Sequence, residues 1–206
     1  MFKKKAEFIA SAMISCLILA GSVLADEDEL IRTGWFGGPV YDGKPDLKIA
    51  AALIKAGGGA GHFSFKQALV SMLGEKTVKA EVAKLTKQYG SEKVNGWLNG
   101  MNFMIADSLK RATAAGIRLP TAPADLKGEK LAKVLISAGT APKGMYWAGW
   151  MLDHILPHDI HNQVMIDIDS KYDHAFNKEI HAILNQAMYN IAHALGEEHV
   201  RLAPLH

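Results

Sequence analysis

The chain has 206 residues, 49% hydrophobic and 21% charged, with 23 basic and 21 acidic side chains, nine histidines and one cysteine. Three of the lysines and one glutamate lie in the first 25 residues, so the remainder is formally neutral. That balance gives nucleic-acid binding no electrostatic support, and the length suits one domain with a sizeable core.

Residues 1–25 read as an export signal. Lys3, Lys4 and Lys5 form a basic start, an apolar stretch runs from Phe8 to Ala20, and Val23-Leu24-Ala25 offers small residues for cleavage. About 13 apolar residues are too few to span a bilayer comfortably. The mature chain is expected to begin at Asp26, without a membrane span, in the periplasm or outside the cell. Met13-Ile14-Ser15-Cys16 imitates a lipobox, and lipidation of Cys16 is the alternative. With Cys16 removed no thiol is left, so the protein depends on its core or a bound cofactor.

Residues 26–45 form an irregular arm, rich in Gly and Pro around Trp35, Phe36 and Tyr41. The region 46–206 reads as a single helical domain. Asp46 to Ala56 has apolar residues at helical spacing and stops at Gly57-Gly58-Gly59. Ser64 to Gln67 opens a second helix as a capping box, and Gly74 closes it. A third runs from Thr77 to Tyr89. Ser91 is expected to cap a fourth, which carries Val94, Trp97, Leu98, Met101, Ile105, Leu109 and Ala112 on one face. Gly96 and Gly100 inside it cost roughly 1 kcal/mol each, which predicts close approach by a neighbouring backbone, with a kink at Asn99-Gly100 as the alternative.

After Pro120 and Pro123 the pattern starts again. Asp46-Leu47-Lys48 recurs as Asp125-Leu126-Lys127, and from Ser64 onward an offset of 86 residues pairs Leu98-Asn99 with Leu184-Asn185 and Ile105-Ala106 with Ile191-Ala192. The expected fold is therefore all-α, about eight helices in two tandem four-helix pseudo-repeats, 46–120 and 125–205, packed as one domain.

The repeats differ in chemistry. Gln67, Ala68, Met72 and Glu75 of the first correspond to Asp153, His154, His158 and His161 of the second. Seven histidines fall between Met145 and His199. His154, His158 and His161 have i, i+4, i+7 spacing, interrupted by Pro157, where a kink or a new helix start is expected. His174 and His181 lie seven apart at one edge of the last helix, whereas His193 falls on the opposite, solvated side. Asp169 or Ser170 is the expected cap of that helix.

These residues predict a transition-metal site (Zn, Cu, Ni or Fe) with His154, His158 and His161 as ligands. His174 or His181 would close it, and Asp153 would serve as ligand or as acceptor from a ligating imidazole. Haem ranks behind a bare metal, since no Cys-x-x-Cys-His occurs. Ser91 to Gly116 resembles the late helices of truncated globins, but the Leu85-Thr86-Lys87 region offers no imidazole where that family places its proximal histidine. No His-Glu-x-x-His, P-loop, dinucleotide fingerprint or Gly-x-Ser-x-Gly is present, so no reaction is specified. The partner is a metal ion or small ligand. The alternative is a periplasmic helical binding or adaptor module, with a protein partner and structural or pH-sensing histidines.

Overall fold

The computed structural model describes residues 41 and 43–203. The export signal, Cys16, most of the 26–45 arm and His206 lie outside the described residues. Eight helices account for nearly all of the regular structure: α1 (Leu47–Ala56), α2 (Phe65–Leu73), α3 (Glu75–Tyr89), α4 (Ser91–Ala114), α5 (Gly128–Ala138), α6 (Trp147–Ile155), α7 (His158–Asp169) and α8 (His174–Ala194). The all-α expectation holds, with four helices on each side of the linker.

Helix boundaries follow local chemistry. Asp46 accepts from the Lys48 amide and Ser64 from the Gln67 amide, so both side chains cap their helices, Ser64 as the sequence suggests. Ser91 does not cap α4. It is the first helical residue, and Gly90, with φ of +88°, takes the cap position. Asp173 caps α8 through the Phe176 amide, in place of Asp169 or Ser170.

The two longest helices, α4 and α8, pack on each other. Trp97, Met101 and Ile105 of α4 and Ile183, Leu184 and Ala187 of α8 are all buried. Gly96 sits at their contact: a Cβ there would lie 3.0 Å from Ile180 Cδ1 and 3.4 Å from Phe176 Cζ. The close approach expected at Gly96 is thus made by side chains of α8, not by a backbone.

One feature goes beyond helices. Thr140–Ala141 and Gly144–Met145 pair as a two-residue antiparallel hairpin, and Met145 also bridges to Leu202. The chain end is thereby tied beside the start of α6, through Met145 N–H donating to the Arg201 carbonyl at 2.6 Å. No described helix is long and apolar enough to cross a membrane.

Candidate metal centre

The site is built at the joint between α6 and α7. Two contacts from distant residues fix α6. Asn185 Oδ1 of α8 accepts the Trp147 amide at 2.9 Å, satisfying one of the free N–H groups at the helix start. The Trp147 indole, fully buried, donates to the Leu135 carbonyl at 3.1 Å. Pro157 then decides the joint. The residue before a proline avoids helical backbone, and Leu156 is extended with φ −141° and ψ 155°. The helix ends at Ile155 and a new one begins at His158. The corner folds the last turn of α6 against the first turn of α7, and Asp153 meets His158 and His161.

The contacts are close. Asp153 Oδ1 lies 2.7 Å from His158 Nδ1 and 2.9 Å from His161 Nδ1. The first is a hydrogen bond. The second is at hydrogen-bonding distance but poorly aligned, and His161 Nδ1 is buried without a hydrogen-bond partner, as is His158 Nε2. One ligand atom from each of the three residues falls within 4.8 Å of the others, an arrangement that can hold a metal ion. Asp153 and His161 are buried; His158 is partly open to solvent.

Electrostatics match that geometry. Burial pushes the Asp153 carboxyl up, but the hydrogen bond from His158 and the close imidazoles of His158 and His161 outweigh it and hold it below the usual carboxylate range. The hydrogen bond to Asp153 raises the His158 pKa, against the opposing effect of burial.

The remaining sequence candidates are placed elsewhere. His154 is not one of the converging residues. Its ring stacks on Tyr41 with centroids 3.6 Å apart, and its Nδ1 pairs with the Trp150 carbonyl at 2.8 Å. The 100° advance that put His154 and His158 on one stripe fails because the helix breaks between them. His174, half-exposed, pairs with Asp169 at 2.7 Å, and Asn177 donates to the same carboxylate at 2.8 Å. His181 is buried in α8, and burial pushes its pKa down to about 4, with Asp169 opposing and His161 and His174 reinforcing the shift. It is not one of the three converging residues. His193, expected in solvent, is partly buried, with Nε2 at 3.0 Å from the Val200 carbonyl and its ring against Tyr189. The returning chain end covers that side of α8.

Sequence reasoning missed Tyr41 and three buried asparagines. Tyr41 donates its backbone N–H to Asp153 Oδ2 at 3.3 Å, a long-range contact that no local pattern encodes. Asn162, Asn177 and Asn185 are buried in α7 and α8, Asn177 on Asp169 and Asn185 on the Trp147 amide, and their positions on the apolar faces of those helices were the available signal.

Comparison with protein-family models, with curated proteins and with solved structures gives no match. The case for function therefore rests on the site alone.

Proposed function

We propose that the protein is exported and binds a divalent transition metal through Asp153, His158 and His161. The observation that carries this reading is the convergence of two imidazoles on one carboxylate oxygen, with two buried ring nitrogens left without hydrogen bonds. Buried polar atoms are normally satisfied, so two such atoms in one cluster call for an explanation. Ligand atoms sharing one metal at bonds of about 2 Å stand roughly 3 Å apart. The 2.9 Å, misaligned approach of His161 to Asp153 suits shared coordination better than a hydrogen bond.

Two nitrogens and one oxygen form a borderline donor set compatible with Zn, Fe, Ni or Cu. Three protein ligands leave a coordination position for water or another small ligand, and His158 lies on the side open to solvent. The three side chains converge on one another rather than across a slot, which favours a bare ion over haem. Export is supported by the N-terminal pattern of lysines, apolar run and small residues.

A second reading has its own observation. The 2.7 Å hydrogen bond between His158 and Asp153 closes without any metal, as a structural pair in a binding or adaptor module would. Elemental analysis of protein from its native compartment, with melting curves before and after chelation, separates the two. The metal reading expects about one ion per chain and a lower melting temperature after chelation, because a ligand bound only to the native state adds stability. His158→Ala should lower both metal content and melting temperature, whereas His199→Ala, at an exposed position, should leave metal content unchanged. Metal-free protein whose melting ignores added metal and chelator would leave only the structural pair.

A further inference from the structure

The chain just before α1 lies along the end of α6 and reaches the candidate metal ligands. Asp46, the cap of α1, donates its amide to the His154 carbonyl at 2.6 Å. That carbonyl belongs to the last turn of α6, where no intrahelical partner is left for it. Further back, Tyr41 donates its amide to Asp153 Oδ2 at 3.3 Å. Its ring stacks on His154 with centroids 3.6 Å apart and meets Trp150 edge-on at 5.4 Å. Gly43 lies under the same ring: a Cβ there would overlap the Tyr41 phenol, so the ring rests on a residue that has no side chain.

The two oxygens of Asp153 thus have separate partners. Oδ1 faces His158 and His161, at 2.7 and 2.9 Å, and Oδ2 takes the Tyr41 amide. The last torsion of an aspartate is broad and roughly two-fold, so a donor on Oδ2 fixes the plane in which Oδ1 is presented. A ligand oriented by an outer hydrogen bond holds its ion more tightly than one left free. The Tyr41 amide serves in this way only while the backbone there stays in place. The ring stack on His154 and the Asp46 bond hold it. His154, set apart from the converging residues, becomes the support for that ring.

We propose that Tyr41 is a positioning residue of the metal site: its amide orients the Asp153 carboxylate so that Oδ1 meets the ion, and His154 acts through the Tyr41 ring rather than as a ligand. This inference rests on the metal-binding reading.

The test is competition of Zn²⁺, Ni²⁺ and Cu²⁺ against a chromophoric chelator, on wild-type protein and three variants, with the melting temperature of each metal-free protein alongside. Tyr41→Pro removes the amide hydrogen and the ring. Gly43→Ala displaces the ring without touching a polar group. Each should bind the tightest of the three ions about tenfold more weakly. Tyr41→Phe keeps the amide and the stack and should bind like wild type. The ion-to-chain ratio at saturation should stay the same throughout, since no ligand is removed. A packing role alone would lower the metal-free melting temperature and leave the affinity unchanged. Unchanged affinity in Tyr41→Pro or Gly43→Ala, or a loss in Tyr41→Phe equal to theirs, would overturn the inference while the metal site stands. Wild-type protein that binds none of the three ions would instead remove the site itself, and the inference with it.

Discussion

His161 Nδ1 lies 2.9 Å from Asp153 Oδ1, yet the two form no aligned hydrogen bond. The same oxygen is held by His158 Nδ1 at 2.7 Å. Under the proposed metal reading, the three side chains share one ion. Asp153→Asn keeps the shape and removes the charge. It should weaken metal binding by about tenfold or more, the scale on which even outer partners of metal ligands act. Competition against a chromophoric chelator measures this. His174→Ala should leave the affinity unchanged, because His174 is tied to Asp169 instead. Equal loss in both variants would contradict the three-residue assignment.

The position of α6 depends on a glycine. A Cβ at Gly139 would lie 2.2 Å from Trp147 Cδ1 and 2.8 Å from Cγ. The ring has little freedom to move, being fully buried and bonded to the Leu135 carbonyl. Gly139→Ala should therefore destabilise the fold by about 1–3 kcal/mol, the usual cost of overpacking, although its backbone φ of −97° suits alanine. Urea unfolding checks the sign. A stabilised variant would show that Trp147 is not held as described.

Much of the architecture was legible because it rests on local rules. Helix stops at Gly57, Gly74 and Gly90, the cap at Ser64, and the apolar face of α4 are encoded within a few residues of where they act. Four helices precede the linker and four follow it, the number that the proposed duplication requires. The site was legible only in part. Asp153, His158 and His161 were in the candidate set, but their convergence depends on the extended Leu156-Pro157 corner rather than on a continuous helical stripe. His154 was misplaced by that stripe. Tyr41, 112 positions from Asp153, came from no sequence rule.

The export reading makes its own prediction. N-terminal sequencing of the processed protein should begin at Asp26, directly after the small residues Val23-Leu24-Ala25. A mature protein starting at a lipid-modified Cys16 would replace a free periplasmic or secreted form with a membrane-anchored one.

Acid stability should report on His181. Burial holds its folded-state pKa near 4, against about 6.5 when unfolded. Between those values the unfolded chain binds a proton that the folded chain refuses, so stability is complete above pH 6.5 and falls as pH drops toward 4. The full effect is about 3 kcal/mol. Its surroundings contribute in both directions: Asp169 favours the charged form, while His161 and His174 disfavour it. The site pair leaves this window clear. His158 has a raised pKa, so its contribution is already complete below pH 6.5 and is lost only as pH rises through its folded value. Asp153 has a lowered pKa, so its contribution persists above the unfolded value of 3.8 and is lost as pH falls through the folded one. Denaturant unfolding of chelated protein from pH 7 to 4 should thus show a progressive loss that is largely removed in His181→Gln, whatever that variant's stability at pH 7. An unchanged slope in the variant would show that the proton is taken up elsewhere.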